Sequence, residues 1–190
     1  LHKAIRRQRQ MCIRDRAGLT GNERVMDAYC GIGTIGLIAS RDAREVISVE
    51  LNPDAVRDAV TNAKRNQIKN VSFYQNDAGA FMVSMAEKGE KADVVFMDPP
   101  RAGSDEAFLS SVVTLSPKKV VYVSCNPETL ARDLRYLTKH GYKAEEAWGY
   151  DMFAWSEHVE SIVLLSKLKS NKLKHINVCL LYTSPSPRDS

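Results

Sequence analysis

The residues Ser124-Cys125-Asn126-Pro127 combine a thiol with a predicted change from strand to helix. Backbone N–H groups at the start of a helix favour a thiolate, which is the form of cysteine that attacks as a nucleophile. A lone cysteine can also be a small buried apolar residue. We favour the nucleophile, because Cys125 follows a predicted strand at the edge of the sheet where α/β proteins bind ligands.

A second loop, Asp98-Pro99-Pro100-Arg101-Ala102-Gly103, follows the preceding predicted strand. Two prolines fix the backbone and remove two donors, so the loop is rigid and its carbonyls point outward. Such a loop can hold a planar base and the reacting end of a cofactor. The other interpretation is a plain turn.

The run Asp27-Ala28-Tyr29-Cys30-Gly31-Ile32-Gly33-Thr34-Ile35-Gly36 places three glycines between a strand and a helix. Glycines permit a tight turn and close backbone approach to a ligand, and the helix offers free N–H groups. Glu50 ends the next strand, where an acid can accept both ribose hydroxyls of an adenosine. The pattern fits S-adenosylmethionine or a dinucleotide, and the glycines could also serve only the turn.

Two further carboxylates have two interpretations each. Asp77 follows the third predicted strand, where it could accept a hydrogen bond from an adenine amine or cap the next helix. Glu160, in His158-Val159-Glu160, interrupts an otherwise apolar strand. Its spacing fits a structural ion pair and a general base equally well.

Strand-like and helix-like segments alternate from Thr20 onward. This alternation predicts an α/β fold with a mainly parallel sheet of seven strands and helices on both faces. Right-handed crossovers then bring the polar strand ends to one crevice. The expected strands are Arg24–Tyr29, Glu45–Glu50, Val71–Gln75, Ala92–Met97, Lys119–Ser124, Tyr142–Gly149 and Val159–Ser166. The first expected helix follows the glycine turn and ends at residue 39, and the other four span residues 53–66, 80–87, 106–113 and 128–140.

The two ends of the chain differ in character from its centre. Residues 1–16 and 179–190 resemble in-frame translations of sequencing-library adapters, so we expect them to be foreign. They carry seven of the 27 Lys and Arg residues and two of the 23 Asp and Glu residues, so the net charge of +4 comes from them. The expected catalytic domain is 17–168, with a tail over 169–178. Of the four cysteines, only Cys30 and Cys125 remain, and we interpret Cys30 as packing.

Taken together, these motifs resemble the RNA uracil-5-methyltransferase family, and are most similar to its 23S ribosomal RNA branch. The matching residues are Asp27 to Thr34, Glu50, Asp98 to Gly103, Ser124 to Pro127 and His158 to Glu160. The resemblance covers roughly residues 19–168 and implies a Rossmann-like class I methyltransferase fold. One departure is Ala154 after Phe153, where the family usually has proline. Members of the family also carry an N-terminal RNA-binding domain and an upstream glutamine, neither of which is visible before Ala17.

The resemblance implies a mechanism with S-adenosyl-L-methionine as cofactor and RNA as partner. Cys125 would add to C6 of uracil, C5 would take the methyl group, and Glu160 would remove the C5 proton. Asp98 would bind cofactor or the uracil edge, and the target uridine must leave its stack. By family position, the cofactor pocket is lined by Tyr29, Thr34, Glu50, Asp77 and Asp98.

Several alternatives and general expectations accompany this interpretation. The alternatives are a methyltransferase of other specificity, a nicotinamide-dependent oxidoreductase suggested by the glycine spacing, and a fragment that binds cofactor only. No apolar run approaches the roughly 20 residues of a membrane-spanning helix. The cysteine spacing suggests neither disulfides nor a zinc site. We therefore expect a cytoplasmic monomer without a metal or an iron–sulfur cluster.

Overall fold

The computed structural model describes residue 13, residues 15–150 and residues 160–168. The expected foreign ends and the tail therefore lie almost wholly outside the described residues, as do Phe153, Ala154, His158 and Val159. Within the described part of the chain, no helix is long and apolar enough to cross a membrane.

Seven strands in the described residues form one sheet in the order β3-β2-β1-β4-β5-β7-β6. The first five strands are parallel, and β7 pairs antiparallel with both β5 and β6. The strands are β1 (Arg24–Ala28), β2 (Glu45–Glu50), β3 (Val71–Gln75), β4 (Val94–Met97), β5 (Lys119–Ser124), β6 (Tyr142–Tyr150) and β7 (Glu160–Lys167).

Five helices alternate with these strands: α1 (Thr34–Ala39), α2 (Pro53–Arg65), α3 (Ala78–Glu87), α4 (Glu106–Leu115) and α5 (Pro127–Lys139). Proline at the first position of α2 and α5 suits a helix start, because that residue needs no intrahelical N–H donor. Asn52 and Asn126 cap these two helices through their side chains. The mainly parallel seven-stranded α/β fold expected from the sequence is therefore confirmed.

The core lies on both faces of the sheet. On one face, buried residues of α3, α4 and α5 pack on β1, β4 and β5, with Met82, Phe108 and Leu137 among them. On the other face, α1 packs on the same strands together with Ile13 and Ala17. Central strands are buried on both sides, as the continuous apolar runs of β4 and β5 predict. This double cover leaves the strand ends as the place for polar chemistry.

Small differences from the expected boundaries have local causes. β1 ends at Ala28, one residue early, because Tyr29 takes a left-handed conformation with φ of 61°. α3 begins at Ala78, two residues early, because Asp77 caps it. β4 begins at Val94, two residues late, since the Asp93 carboxylate receives the Arg24 amide and the Lys118 ammonium.

Candidate active site

The residues selected from the sequence lie along one edge of the sheet. In the strand order β3-β2-β1-β4-β5-β7, each strand contributes one of them at or next to the same edge. The antiparallel direction of β7 brings its first residue to the edge where the parallel strands end. In this order the residues are Asp77, Glu50, Tyr29, Asp98, Cys125 and Glu160, and Thr34 begins α1 after the glycine turn.

The position of each residue divides this edge into two halves. The strand order reverses between β1 and β4, and a crevice forms at such a switch point. Glu50 and Tyr29 lie on one side of the switch, and Cys125 and Glu160 lie on the other. Asp98 follows β4 between the two groups. In this strand order, Cys125 follows the strand next to that of Asp98, and Glu50 ends a strand two positions from that of Asp98. Neighbouring strands are about 4.8 Å apart.

Glu50 holds the glycine turn through its carboxylate. Its Oε2 accepts the Gly31 amide at 2.9 Å, and its Oε1 accepts the Asn52 amide at 2.9 Å. Each carboxylate oxygen has a second lone pair, so the half-buried group can still accept two ribose hydroxyls. A Cβ built on Gly31 would meet nothing within 4 Å, so open space lies beside this turn.

Two large apolar side chains near this turn are exposed. Leu51, which follows Glu50, is 67% exposed, and Ile32, which follows Gly31, is 51% exposed.

Asp27 lies beneath the turn and is 1% exposed. Its Oδ2 accepts the Gly36 amide at 2.8 Å, whereas its Oδ1 is buried and has no hydrogen-bond partner. Burial, reinforced by the negative charges of Asp98 and Glu50, raises the pKa of Asp27 to about 7. The carboxylates of Asp98 and Glu50 therefore both disfavour the ionised form of Asp27, which lies under the glycine turn.

Tyr29 and Asp77 face α4 and α3. The Tyr29 ring lies tilted on Phe108, with centroids 4.8 Å apart, and burial raises the pKa of its hydroxyl to about 12. Asp77 Oδ1 accepts the Ala80 amide at 2.8 Å, so the capping role considered for Asp77 is present. The carboxylate is exposed, and its second oxygen can accept a further hydrogen bond.

Cys125 and Glu160 lie at the same end of the β5–β7 ladder. The last pair of this ladder is Ser124 with Ser161, which Cys125 directly follows and Glu160 directly precedes in the chain. Cys125 is half-buried, and Glu160 is 5% exposed. Cys30 is buried, which agrees with its interpretation as packing.

The Cys125 turn is tied to the Asp98 loop. Asn126 Nδ2 and Thr129 Oγ1 each donate to the Arg101 carbonyl at 3.2 Å. The Ser124 hydroxyl accepts the Asn126 amide at 3.1 Å and closes the turn around Cys125. The two loops therefore form one unit beside the crevice.

Sequence reasoning missed one group of residues at this edge, namely Tyr122, Arg132 and Asp133. Asp133 is fully buried, although it stands in a helix with many charges. Its spacing carried a signal, because Leu130, Asp133, Leu134 and Leu137 recur on one helical face. A carboxylate on an apolar stripe indicates a buried hydrogen-bond network.

Comparison with known families and structures agrees with this geometry. The family model of tRNA (uracil-5-)-methyltransferase matches residues 16–168, and the chain belongs to this family. The fold is that of the class I methyltransferases.

Two curated relatives are described as uncharacterized RNA methyltransferases. The one from Halalkalibacterium halodurans is 49% identical over 149 residues, which cover 78% of this chain and 32% of the relative. The one from Enterococcus faecalis is 46% identical over 155 residues, which cover 82% of this chain and 34% of the relative. The chain thus spans about a third of the length of the curated relatives it matches.

Solved structures show the same architecture. The tRNA (uracil-54, C5)-methyltransferase of Pyrococcus abyssi, in complex with S-adenosyl-L-homocysteine, superposes with a TM-score of 0.69 at 31% identity. That match covers 81% of this chain and 37% of the other. An rRNA methylase from Streptococcus thermophilus matches with a TM-score of 0.66 at 13% identity, over 84% of this chain and 95% of the other, and shares the fold.

Proposed function

We propose that this chain is the catalytic domain of an enzyme that methylates C5 of a uridine in RNA, with S-adenosyl-L-methionine as methyl donor. The proposal is supported by the position of Cys125 and Glu160 at the same end of the β5–β7 ladder, one strand from Asp98, in a chain of the uracil-5-methyltransferase family. The complex of the Pyrococcus abyssi relative with S-adenosyl-L-homocysteine supports the choice of cofactor. We place the activity in the cytoplasm, with the enzyme as a monomer.

Cofactor binding is assigned to the β3-β2-β1-β4 half of the edge. Glu50 takes the ribose hydroxyls, and Asp77 takes the adenine amine. Tyr29, Thr34 and Asp98 complete the pocket around the glycine turn. The bound cofactor supplies an electrophilic methyl group on a sulfonium.

Substrate chemistry is assigned to the β4-β5-β7 half. Cys125 Sγ forms a bond to C6 of uracil, and the electron pair of the C5–C6 double bond makes C5 a carbon nucleophile. C5 would then take the methyl group from the sulfonium of the bound cofactor, whose sulfur would keep the electron pair of the broken S–C bond and leave as the thioether of S-adenosylhomocysteine. Glu160 accepts the C5 proton, and the electron pair of the broken C–H bond restores the double bond and expels the Cys125 thiolate. C5 and C6 are bonded to each other, so the thiol of Cys125 and the carboxylate of Glu160 must act on adjacent atoms. Their position at the same end of the β5–β7 ladder suits this requirement.

The test is a covalent adduct with RNA that contains 5-fluorouridine. Fluorine at C5 leaves Glu160 no proton to remove, so wild type should accumulate a protein–RNA adduct stable in denaturing gels. Cys125→Ala should form none and should still bind S-adenosylhomocysteine. Cys179→Ala, in the terminal segment that we expect to be foreign, is the matched control and should form the adduct. An adduct with Cys125→Ala would refute the mechanism.

We further propose ribosomal RNA as the substrate, because the motifs are most similar to the 23S ribosomal RNA branch. Ribosomal RNA fragments and transfer RNA transcripts, both carrying 5-fluorouridine, separate the two possibilities. An adduct with transfer RNA alone would overturn the ribosomal assignment and leave the C5 chemistry standing. Calorimetry with NAD in place of S-adenosylhomocysteine tests the oxidoreductase alternative, and we expect no binding.

A further inference from the structure

A buried carboxylate connects the two loops of the candidate site. Asp133, in the second turn of α5, is 0% exposed. Its Oδ2 accepts the Ser104 amide at 2.8 Å and the Tyr122 hydroxyl at 2.5 Å, and its Oδ1 accepts Arg132 Nε at 2.8 Å. One side chain thus joins β5, which leads into Cys125, to the end of the loop that begins at Asp98.

Arg132 extends this connection along the loop. Its Nη2 donates to the Ala102 carbonyl at 3.1 Å and to the Ser104 carbonyl at 2.8 Å. The Asp133 carboxylate fixes the direction of this guanidinium and raises the pKa of Arg132. Arg101 is held from the same helix by Asn126 and Thr129, so α5 binds three backbone carbonyls of the loop.

Gly103 shows how closely the loop approaches the helix. A Cβ on Gly103 would lie 2.7 Å from Arg132 Nη2, 2.8 Å from Asp133 Oδ2 and 2.9 Å from Thr129 Cβ. Its φ of +75° also lies in the left-handed region that favours glycine. The loop is therefore seated directly on the Asp133 network.

A fully buried carboxylate is costly unless its hydrogen bonds compensate for lost hydration. An apolar side chain at residue 133 would continue the stripe of Leu130, Leu134 and Leu137 at lower desolvation cost. The contacts of Asp133 instead go to the elements that carry Asp98 and Cys125. We infer that Asp133 is a positioning residue, whose carboxylate sets the Asp98 loop at a fixed distance from the Cys125 turn. This inference rests on the proposed function, since that distance matters for methyl transfer.

The first arm of the test measures position without RNA. Asp133→Asn keeps the size of the side chain, but an amide NH2 replaces one carboxylate oxygen. This NH2 would face at least one of the three groups that donate to Asp133, namely the Ser104 amide, the Tyr122 hydroxyl and Arg132 Nε. Amide hydrogen exchange, followed by mass spectrometry on the 190-residue chain, should become faster in residues 98–104 and 124–127. The exchange rates in β1 to β3 should stay unchanged. Unchanged exchange in residues 98–104 would overturn the inference.

The second arm measures reaction with 5-fluorouridine RNA in a single turnover. Misplacement of reacting groups slows the chemical step, so the rate constant for adduct formation should fall by about tenfold to hundredfold. The fraction of protein that finally reacts should stay near that of wild type. A loss of reacting fraction with an unchanged rate constant would mean that Asp133 only keeps the chain folded, which overturns the inference.

Two further variants keep the test decisive. Tyr122→Phe removes one hydrogen bond to the same carboxylate and keeps the ring, so it should show a smaller effect of the same kind if Asp133→Asn fails to fold. Arg135→Gln changes an exposed charge on the same helix and should match wild type in both arms. If wild type forms no adduct, the proposed function fails, while the exchange arm still decides whether Asp133 positions the loops.

Discussion

Cys125 and Glu160 occupy the next position beyond Ser124 and Ser161, the last residue pair of the β5–β7 ladder. Opposed residues in an antiparallel ladder have Cα atoms about 5 Å apart, so the pair Ser124–Ser161 fixes the backbone on which both groups sit. A thiol that adds to C6 and a base that takes the proton from C5 must reach adjacent atoms. The antiparallel β7 therefore has a chemical use, because a parallel strand would begin at the opposite edge.

Glu160→Gln should trap the RNA adduct on normal uridine RNA. Glutamine has the size of glutamate but is not a base, so the C5 proton stays in place and Cys125 cannot leave. Denaturing gels should show a protein–RNA band that carries the transferred methyl group, and turnover should fall at least about a hundredfold.

Glu145→Gln is the matched control for this change. Glu145 is an exposed carboxylate of the neighbouring strand β6, and its variant should turn over like wild type without an adduct band. Full turnover by Glu160→Gln would assign proton removal to another group.

Cys125 should react with iodoacetamide much faster than Cys30. Cys30 is 8% exposed, and burial together with the charges of Asp27 and Glu50 raises the pKa of its thiol well above the usual range. At pH 8 we expect labelling of Cys125 to be at least about tenfold faster, measured on separate peptides by mass spectrometry. In guanidinium the two rates should converge, and similar rates in the native chain would contradict the burial of Cys30.

The ionisation of Asp27 should make stability depend on pH. Its pKa is raised from 3.8 in the unfolded chain to about 7, so the native state keeps a proton that the unfolded state releases between these values. The free energy of unfolding should therefore fall as pH rises through this window, by up to about 1.4 kcal/mol per pH unit.

Asp27→Asn isolates this contribution, because asparagine can still accept the Gly36 amide. The variant and wild type should be similarly stable below pH 4, and the variant should be more stable by a few kcal/mol above pH 7. Urea unfolding of both proteins from pH 4 to pH 8 measures the difference. A constant difference across that range would mean that Asp27 is ionised throughout.

The strand ends could be predicted from the sequence because each one is marked by a change in composition. β4 and β5 are apolar runs that stop at Asp98-Pro99 and at Cys125-Asn126, and the three glycines of the first turn follow β1. A polar residue directly after a buried strand has to lie at the edge of the sheet. The strand-end positions of Glu50, Asp98 and Cys125 could therefore be predicted from the sequence, whereas their roles in the site stay predictions.

The Asp133 network could not be predicted with its partners. The network joins residues that are distant in the sequence and belong to a loop, a strand and a helix, namely Ser104, Tyr122 and Asp133. Helical periodicity can place Asp133 on the buried face, but it cannot say which hydroxyl or amide it meets. Contacts between elements depend on how α5 crosses β5, which is a property of packing.

Gly36→Ala should destabilise the fold even though alanine favours helices. A Cβ at this position would lie 2.6 Å from Ser48 Oγ and 2.9 Å from Asp27 Oδ2, and such overpacking costs about 2 kcal/mol. Alanine gains at most about 1 kcal/mol in helix propensity, so the clash should dominate.

Removal of the Ser48 hydroxyl should relieve part of this clash. Ser48 Oγ is buried without a hydrogen-bond partner, so Ser48→Ala alone should leave stability unchanged or higher. The double variant should be more stable than Gly36→Ala, as measured by urea unfolding. Strict additivity of the two changes would show that Ser48 is not the group that Gly36 must avoid.

Glu50→Gln should weaken binding of S-adenosylhomocysteine by about tenfold to hundredfold, which corresponds to the loss of one or two hydrogen bonds to a charged acceptor. The glutamine amide would also face the Gly31 or the Asn52 amide, both of which now donate to the carboxylate at 2.9 Å. Calorimetry measures the Kd directly. Glu45→Gln, at the opposite end of the same strand, should bind like wild type, because Glu45 pairs with Arg24 and Arg44 away from the crevice. If both variants bound equally well, the ribose would have to lie elsewhere than at the end of β2.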